Sequence, residues 1–212
     1  MKKPKDADCC RFRSHPWHGI DIGSNAPDIV MTYVEMVPTD TVKYEMDKVS
    51  GYLRLDRPQR YSNVVPALYG FIPRTLTGAA VAARTMEMTG LKGIRGDGDA
   101  MDICILTEKD ITHGDILVQA RPIGGFRMID GNEADDKIIA VLYNDAVYGE
   151  YEDIRDCPAI AIERLKHYFL TYKDLPGEKR RVIIADLYDT NEAREVIRRS
   201  MKDYADDFPG LM

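Results

Sequence analysis

Between Ile29 and Tyr143 the apolar positions fall in short runs rich in β-branched and aromatic residues, whereas after Pro158 they recur at helical spacing. Strands are expected at Ile29 to Val37, Val42 to Met46, Tyr52 to Asp56, Met101 to Leu106, Ile116 to Arg121, Gly125 to Ile129, Lys137 to Tyr143 and Arg181 to Tyr188. Asp47-Lys48-Val49-Ser50-Gly51 reads as the loop of a hairpin. Alternation puts Glu35 on the face of Tyr33 and Val37, and Lys43 with Glu45 on another single face. Pro58, Pro66 and Pro73 each remove a backbone donor, so Arg57 to Thr75 reads as a fixed loop rather than continuous sheet. Leu76 to Gly96, thick with Gly, Ala and Thr, reads as a structureless flap or insertion.

Ile162, Leu165, Phe169 and Tyr172 mark one amphipathic helix. A last helix starts at Asp189 with Glu192 three residues on, and its buried stripe is Val196, Ile197, Met201 and Tyr204. Strands first and helices last predict an α+β fold, a small closed or nearly closed barrel with flanking C-terminal helices. Residues 1–28 carry Pro4, Pro16, Gly19, Gly23 and Pro27 without a period and read as an N-terminal extension. Residues 29–212 then form a single domain with an inserted loop at about 76–96.

The chain has 212 residues, 44% hydrophobic and 30% charged, which excludes wholesale disorder and fibrous classes. Lys and Arg total 29 against 35 Asp and Glu, and a net charge of -6 argues against a nucleic-acid partner. No apolar run approaches the roughly 20 residues that cross a bilayer. Lys2, Lys3 and Lys5 are followed by Asp6, Asp8 and Arg11 where a signal peptide needs its apolar stretch. The expectation is a cytoplasmic protein with no membrane partner. Cysteines 9, 10, 104 and 157 follow no disulfide-framework spacing and read as reduced thiols. Cys9 and Cys10 with His15 and His18 make only a weak zinc-like grouping, and an arm that docks Trp17 on the domain is the preferred reading.

Two acidic clusters change the picture. Gly96-Asp97-Gly98-Asp99-Ala100-Met101-Asp102 places three carboxylates within six residues at the mouth of a strand. It is not an EF-hand, because Met101 stands where an oxygen ligand is needed and Asp102 where the turn glycine must be. A second cluster, Asp130 to Lys137, enters another strand. Carboxylates without nearby His or Cys favour a hard cation, Mg²⁺ or Mn²⁺, that bridges to phosphate. Several such ions can acidify a shared water and hold attacking and leaving oxygens, which points to hydrolysis of a phosphoanhydride. Lys43, Arg57, Lys137 and Lys173 sit beside strand ends, loops or acidic clusters, and Tyr69 and Tyr172 could add hydroxyl donors.

Lys43-Tyr44-Glu45, Asp56-Arg57, Tyr69-Gly70, Asp97 to Asp102, Arg121-Pro122-Ile123-Gly124, Asp130 with Asp135-Asp136-Lys137, and Tyr172-Lys173 occur in an order that resembles the family I soluble inorganic pyrophosphatases. The resemblance runs from about Glu35 to Lys173. It implies an OB-like barrel of about five strands, several Mg²⁺ ions with Mn²⁺ as an alternative, and hydrolysis of pyrophosphate to two phosphates. That activity would drive biosynthetic reactions that release pyrophosphate. Asp97, Asp102 and Asp135 match the family's resting metal ligands, and Glu35 and Asp130 match those for metals arriving with substrate. Asp99 matches the carboxylate that takes a proton from the bridging water. Lys43, Arg57, Tyr69, Lys137, Tyr172 and Lys173 match the groups that hold the phosphates, and Glu45 an acid that orients its neighbours. The family resemblance also suggests a homo-oligomer.

Where family members commonly carry tyrosine and asparagine, this chain has Val65 and Leu68, so a phosphate-side hydroxyl is expected to be missing beside the pocket. Ala100 replaces a usual proline. The His15-Pro16-Trp17-His18-Gly19 start and the segment from Gly78 to Gly96 are similar to the chlamydial subgroup. Two other functions remain open: a phosphatase or nucleotide pyrophosphohydrolase using the insertion for a larger substrate, and an OB-type single-strand binder. The first is disfavoured because residues 78–96 contain no aromatic, the second because basic and acidic groups are interleaved.

Overall fold

The computed structural model describes residues 13–173 and 182–211. Cys9, Cys10 and Arg181 lie outside the described residues, as do the first lysines. The elements are β1 (Val30–Met36), β2 (Val42–Met46), β3 (Leu53–Pro58), β4 (Leu68–Phe71), α1 (Ala79–Thr89), β5 (Arg95–Gly96), β6 (Asp102–Leu106), β7 (Ile116–Asp130), β8 (Glu133–Ala134), β9 (Lys137–Leu142), α2 (Ala159–Thr171), β10 (Val182–Asp189) and α3 (Thr190–Asp207). This is the expected α+β class.

Five strands pair in succession, β1 with β4, β4 with β6, β6 with β9 and β9 with β7, and β7 pairs back to β1 through Val30 with Ala120. Both neighbours of β1 are therefore satisfied, and six of its seven residues are buried, more than one-faced alternation predicts. Inside lie Val30, Val34, Ile103, Ile105, Ala120, Ile138 and Ala140, closed over by Val196 and Ile197 of α3 and Val81 of α1. Leu165 and Phe169 of α2 pack with Ile123, Phe126, Met128 and Ile139 in a second cluster.

Four expectations are corrected. The two strands placed at Ile116 to Arg121 and Gly125 to Ile129 are one 15-residue strand. Its register shifts between Pro122 and Gly124, and such an irregularity accommodates a residue with no N–H. A strand, β4, crosses the proline-rich segment because its own four residues carry no proline. The structureless flap at 76–96 is instead built around α1, an 11-residue helix. No side chain in its own segment caps it. Asp203 of α3 does so, accepting from the backbone N–H groups of Gly78, Ala80 and Val81 at 3.0, 2.8 and 3.1 Å. Finally, Val65 is fully buried among Met36, Ala67, Cys104 and Phe169, and Leu68 belongs to the inner core, so neither stands beside the pocket.

β2 and β3 pair only with each other, joined by residues 47–52. Trp17 is docked as expected, 4% exposed, in a third cluster with Tyr33, Met46, Phe71, Leu76 and Tyr204.

Candidate active site

The end of β1, the ends of β4 and β7 and the starts of β6 and β9 converge on a cleft of about 220 Å³. The structure brings to it Glu35, Lys43, Glu45, Tyr69, Asp97, Asp99, Asp102, Asp130, Asp135, Lys137, Tyr172 and Lys173. Arg57 does not line it. Its guanidinium stays one step back, bonded to Asp56 at 2.6 Å.

Local geometry explains these placements. Lys43 faces Arg57 across the β2 and β3 ladder, a repulsive pair of like charges. The register shift beside Lys43 leaves Asp56 as the extra residue, and its carboxylate lies 3.4 Å from Lys43 Nζ as well as beside Arg57. Glu45 is 3.1 Å from the same ammonium. Burial disfavours the Lys43 charge, but Glu45 and Asp56 more than offset it and raise its pKa. Asp56 is a brace that charge counting alone does not reveal.

In the first acidic loop Gly98 takes φ +76°, a left-handed conformation that other residues rarely adopt. The loop folds back so that Asp99 N–H donates to Asp97 at 2.9 Å. Burial and the neighbouring Asp135 push Asp97 up to about 8. Glu35, 6% exposed, accepts from Met46 N–H at 2.7 Å, yet burial, aided by the charge of Asp102, still drives it up to about 8.

Alternation along the start of β9 sends Asp135 and Lys137 into the cleft and Asp136 away from it, toward Tyr188 and Arg127. Lys137 is 1% exposed and its ammonium bonds both Asp102 and Asp135. Burial opposes that charge, but the two carboxylates raise it well above its ordinary value. Asp135 remains raised, because burial outweighs the pull of Lys137. Tyr69 donates to Asp102 at 2.7 Å, and Lys173 bonds Asp130 at 2.6 Å. Tyr172, at the end of α2, lies beneath Lys173 with its ring centre 5.3 Å from Nζ.

Sequence reasoning missed Trp17, Met46, Lys48, Phe71 and Glu133 in the lining. Met46 and Lys48 border the Lys43-Tyr44-Glu45 motif, and that adjacency is the signal that could have found them. None of residues 76–96 lines the cleft among the described residues. Among those residues, too, no three Asp, Glu, His or Cys side chains already converge on a metal-sized point, since the Lys137 ammonium stands between Asp102 and Asp135.

A family model described as inorganic pyrophosphatase matches residues 32–205. An inorganic pyrophosphatase of Chlamydia caviae is 47% identical over 199 residues, 92% of each chain. Soluble inorganic pyrophosphatase 1 of Arabidopsis thaliana is 36% identical over 193 residues, 91% of this chain and 81% of that one. The crystal structure of an inorganic pyrophosphatase from Thermus thermophilus superposes with a TM-score of 0.75 at 28% identity, covering 89% of this chain and 98% of that one. A match spanning nearly the whole domain, in sequence and in fold, means that the chain belongs to the family I soluble inorganic pyrophosphatases.

Proposed function

We propose that the cleft hydrolyses pyrophosphate to two phosphates with a divalent hard cation, Mg²⁺ or Mn²⁺. The observation that carries this reading is the meeting of Glu35, Asp97, Asp99, Asp102, Asp130 and Asp135 with Lys43, Lys137 and Lys173 in one small space. The donor set is all oxygen, and these six carboxyl groups outnumber the three lysines that meet them, while burial holds Glu35, Asp97 and Asp135 raised. Such a surplus fits a hard cation. Asp97, Asp102, Asp135, Asp130 and Glu35 would hold it. When bound, the cation neutralises phosphate oxygens and makes water a stronger acid.

The chain's own residues do the rest. Lys43, Lys137, Lys173, Tyr69 and Tyr172 hold the two phosphates, with Arg57 reaching in from behind Asp56. Asp99 takes the proton of the attacking water as the new P–O bond forms and the bridging P–O bond breaks. The leaving phosphate departs with the bridging oxygen, its growing charge stabilised by the lysines. Glu45 orients Lys43. The ring of β1, β4, β6, β9 and β7 is read as the closed OB-like barrel that carries these groups on its strand ends. Cys104 and Cys157 are free thiols, which suits a reducing cytoplasm. Among the described residues no helix is long and apolar enough to cross a membrane. A homo-oligomer completes the reading, checked by size-exclusion chromatography.

The decisive experiment measures phosphate release from pyrophosphate, ATP and a simple phosphomonoester, each with and without Mg²⁺. Pyrophosphate should be cleaved only with the cation and in clear preference to the others. Full activity after exhaustive chelation would sink the metal requirement, and preference for ATP would sink the substrate.

A further inference from the structure

Lys48 belongs to the turn 47–52 between β2 and β3, and it lines the cleft. Its ammonium bonds Asp99 and lies 5.9 Å from the centre of the Trp17 ring. The turn is fixed from within, where Ser50 donates its N–H at 2.8 Å and its hydroxyl at 2.7 Å to Asp47. It is also fixed from outside. Gly51, at φ +72°, lies so close to the N-terminal arm that a Cβ there would meet Pro16 at 2.8 Å and the His15 ring at 2.9 Å. His15 Nε2 stands 3.2 Å from the Lys48 carbonyl.

The arm in turn is anchored to the body. Trp17 donates its indole N–H to the Thr75 carbonyl at 2.7 Å, and Arg74 N–H donates to the Trp17 carbonyl at 2.9 Å. His18 Nδ1 lies 2.8 Å from the Tyr204 hydroxyl of α3. Three separate pieces of chain, the arm, the hairpin turn and the acidic loop, therefore meet where Lys48 touches Asp99.

We propose that Lys48 is a positioning residue for Asp99, and that the docked segment 15–19 is the support that holds it in place. The proposal rests on the pyrophosphate reading of the cleft, in which Asp99 accepts the proton of the attacking water. Asp99 is 46% exposed at its side chain, on a loop that turns at Gly98, so its direction is poorly defined by packing alone. An exposed lysine is a weak anchor when solvated and free to choose rotamers. Here the indole face attracts the ammonium and the arm holds the backbone that carries it, so less freedom is lost when the pair forms.

Steady-state phosphate release from pyrophosphate with Mg²⁺ tests the role. Lys48→Ala should lower kcat about three- to tenfold, the worth of an exposed pair reinforced by an aromatic face, with KM changed less than about twofold. Lys48→Arg should recover most of the loss. Lys48→Ala added to Asp99→Asn should cost nothing further, because Lys48 acts through Asp99. A raised KM at unchanged kcat, or a full additional loss in the Asp99→Asn background, would show Lys48 acting on the substrate itself and overturn the proposal.

A second readout needs no turnover. Trp17 is the chain's single tryptophan, so its emission reports the ammonium above it. Asp99→Asn should shift that emission in the same direction as Lys48→Ala. Emission shifted by Lys48→Ala but untouched by Asp99→Asn overturns the link. Should the wild-type protein fail to cleave pyrophosphate, the substrate reading falls, while the emission comparison still decides whether Asp99 and Lys48 are coupled.

Discussion

Asp203 of α3 and Asp135 of the cleft are withdrawn from water to a similar degree, 5% and 8% exposed, yet they are compensated differently. Asp203 accepts from three backbone N–H groups at the start of α1, donors fixed by the helix itself. On the same two helices, the largely buried Glu192 and the exposed Glu87 grip Arg84 at 2.6 and 2.9 Å. Asp135 has Lys137 and, at 4.0 Å, Lys173, but it shares them with Asp102 and Asp130 and faces Asp97. The α1 and α3 layer buries charge to close a structure. The cleft leaves a surplus that only protons or an arriving cation can balance, and such a surplus marks a working site.

The largest effect expected is on rate. Asp99→Asn removes the proposed base while leaving the proposed metal ligands, and should lower phosphate release by about 10² to 10⁴. Mg²⁺ affinity, followed by calorimetry, should fall much less than in Asp102→Asn. Equal losses of Mg²⁺ binding in both variants would mean that the two roles are misassigned.

Next comes the structural carboxylate. Asp203→Ala leaves the first N–H groups of α1 without their acceptor and should destabilise the fold by about 2 kcal/mol, read from denaturant unfolding. Phosphate release at 25 °C should stay near wild type, because α1 does not line the cleft. A stable Asp203→Ala protein with lost activity would erase the distinction between the two regions.

The cleft, together with the buried Asp136 behind it, predicts a pH dependence of opposite origin. Glu35 and Asp97 are raised to about 8 and Asp136 to about 7, while in the unfolded chain each titrates near 4. Across that window the native state binds more protons than the unfolded state, so stability falls as pH rises through it. Metal-free protein should therefore melt higher at pH 6 than at pH 8. His18, held low by burial, opposes the trend below its ordinary pKa, but as one group against three. Saturating Mg²⁺ should flatten the dependence and, at about 100 times its dissociation constant, add roughly 2.7 kcal/mol. Metal-free protein that gains stability between pH 6 and pH 8 would show that these buried carboxyl groups are not raised in the folded state.

The smallest effect is reserved for a charge pair in neither region. Arg13 bonds Asp115 and lies 3.4 Å from the Tyr33 hydroxyl, with both charged side chains 42% exposed. Solvent screening limits such a pair, and Arg13→Ala should cost about 0.5 kcal/mol in thermal melts. A loss several times larger would make the arm a structural element on the scale of Asp203.

What the sequence by itself determined is what short-range order controls. Alternation placed Lys43 and Glu45 on one face, and both line the cleft, while Asp189 announced α3, where it accepts from Asn191 N–H and Glu192 N–H, both at 3.1 Å. The α2 stripe at Ile162, Leu165 and Phe169 is buried because helical spacing is a local property. Charged residues at strand ends were legible as candidates for the same reason. Tertiary structure decided the rest. α1 was hidden because its cap arrives from a residue 125 positions away, and no local pattern records it. β7 was read as two strands because Pro122 interrupts the local pattern, whereas pairing with β1, β9 and β10 carries one strand across the irregularity. Val65 was assigned to the pocket by position in a motif, but its apolar side chain finds a packed core within reach and takes it. Lys48 acquired its place from the packing of His15, Pro16 and Trp17 against a turn more than 30 residues later, a contact only the folded chain can make.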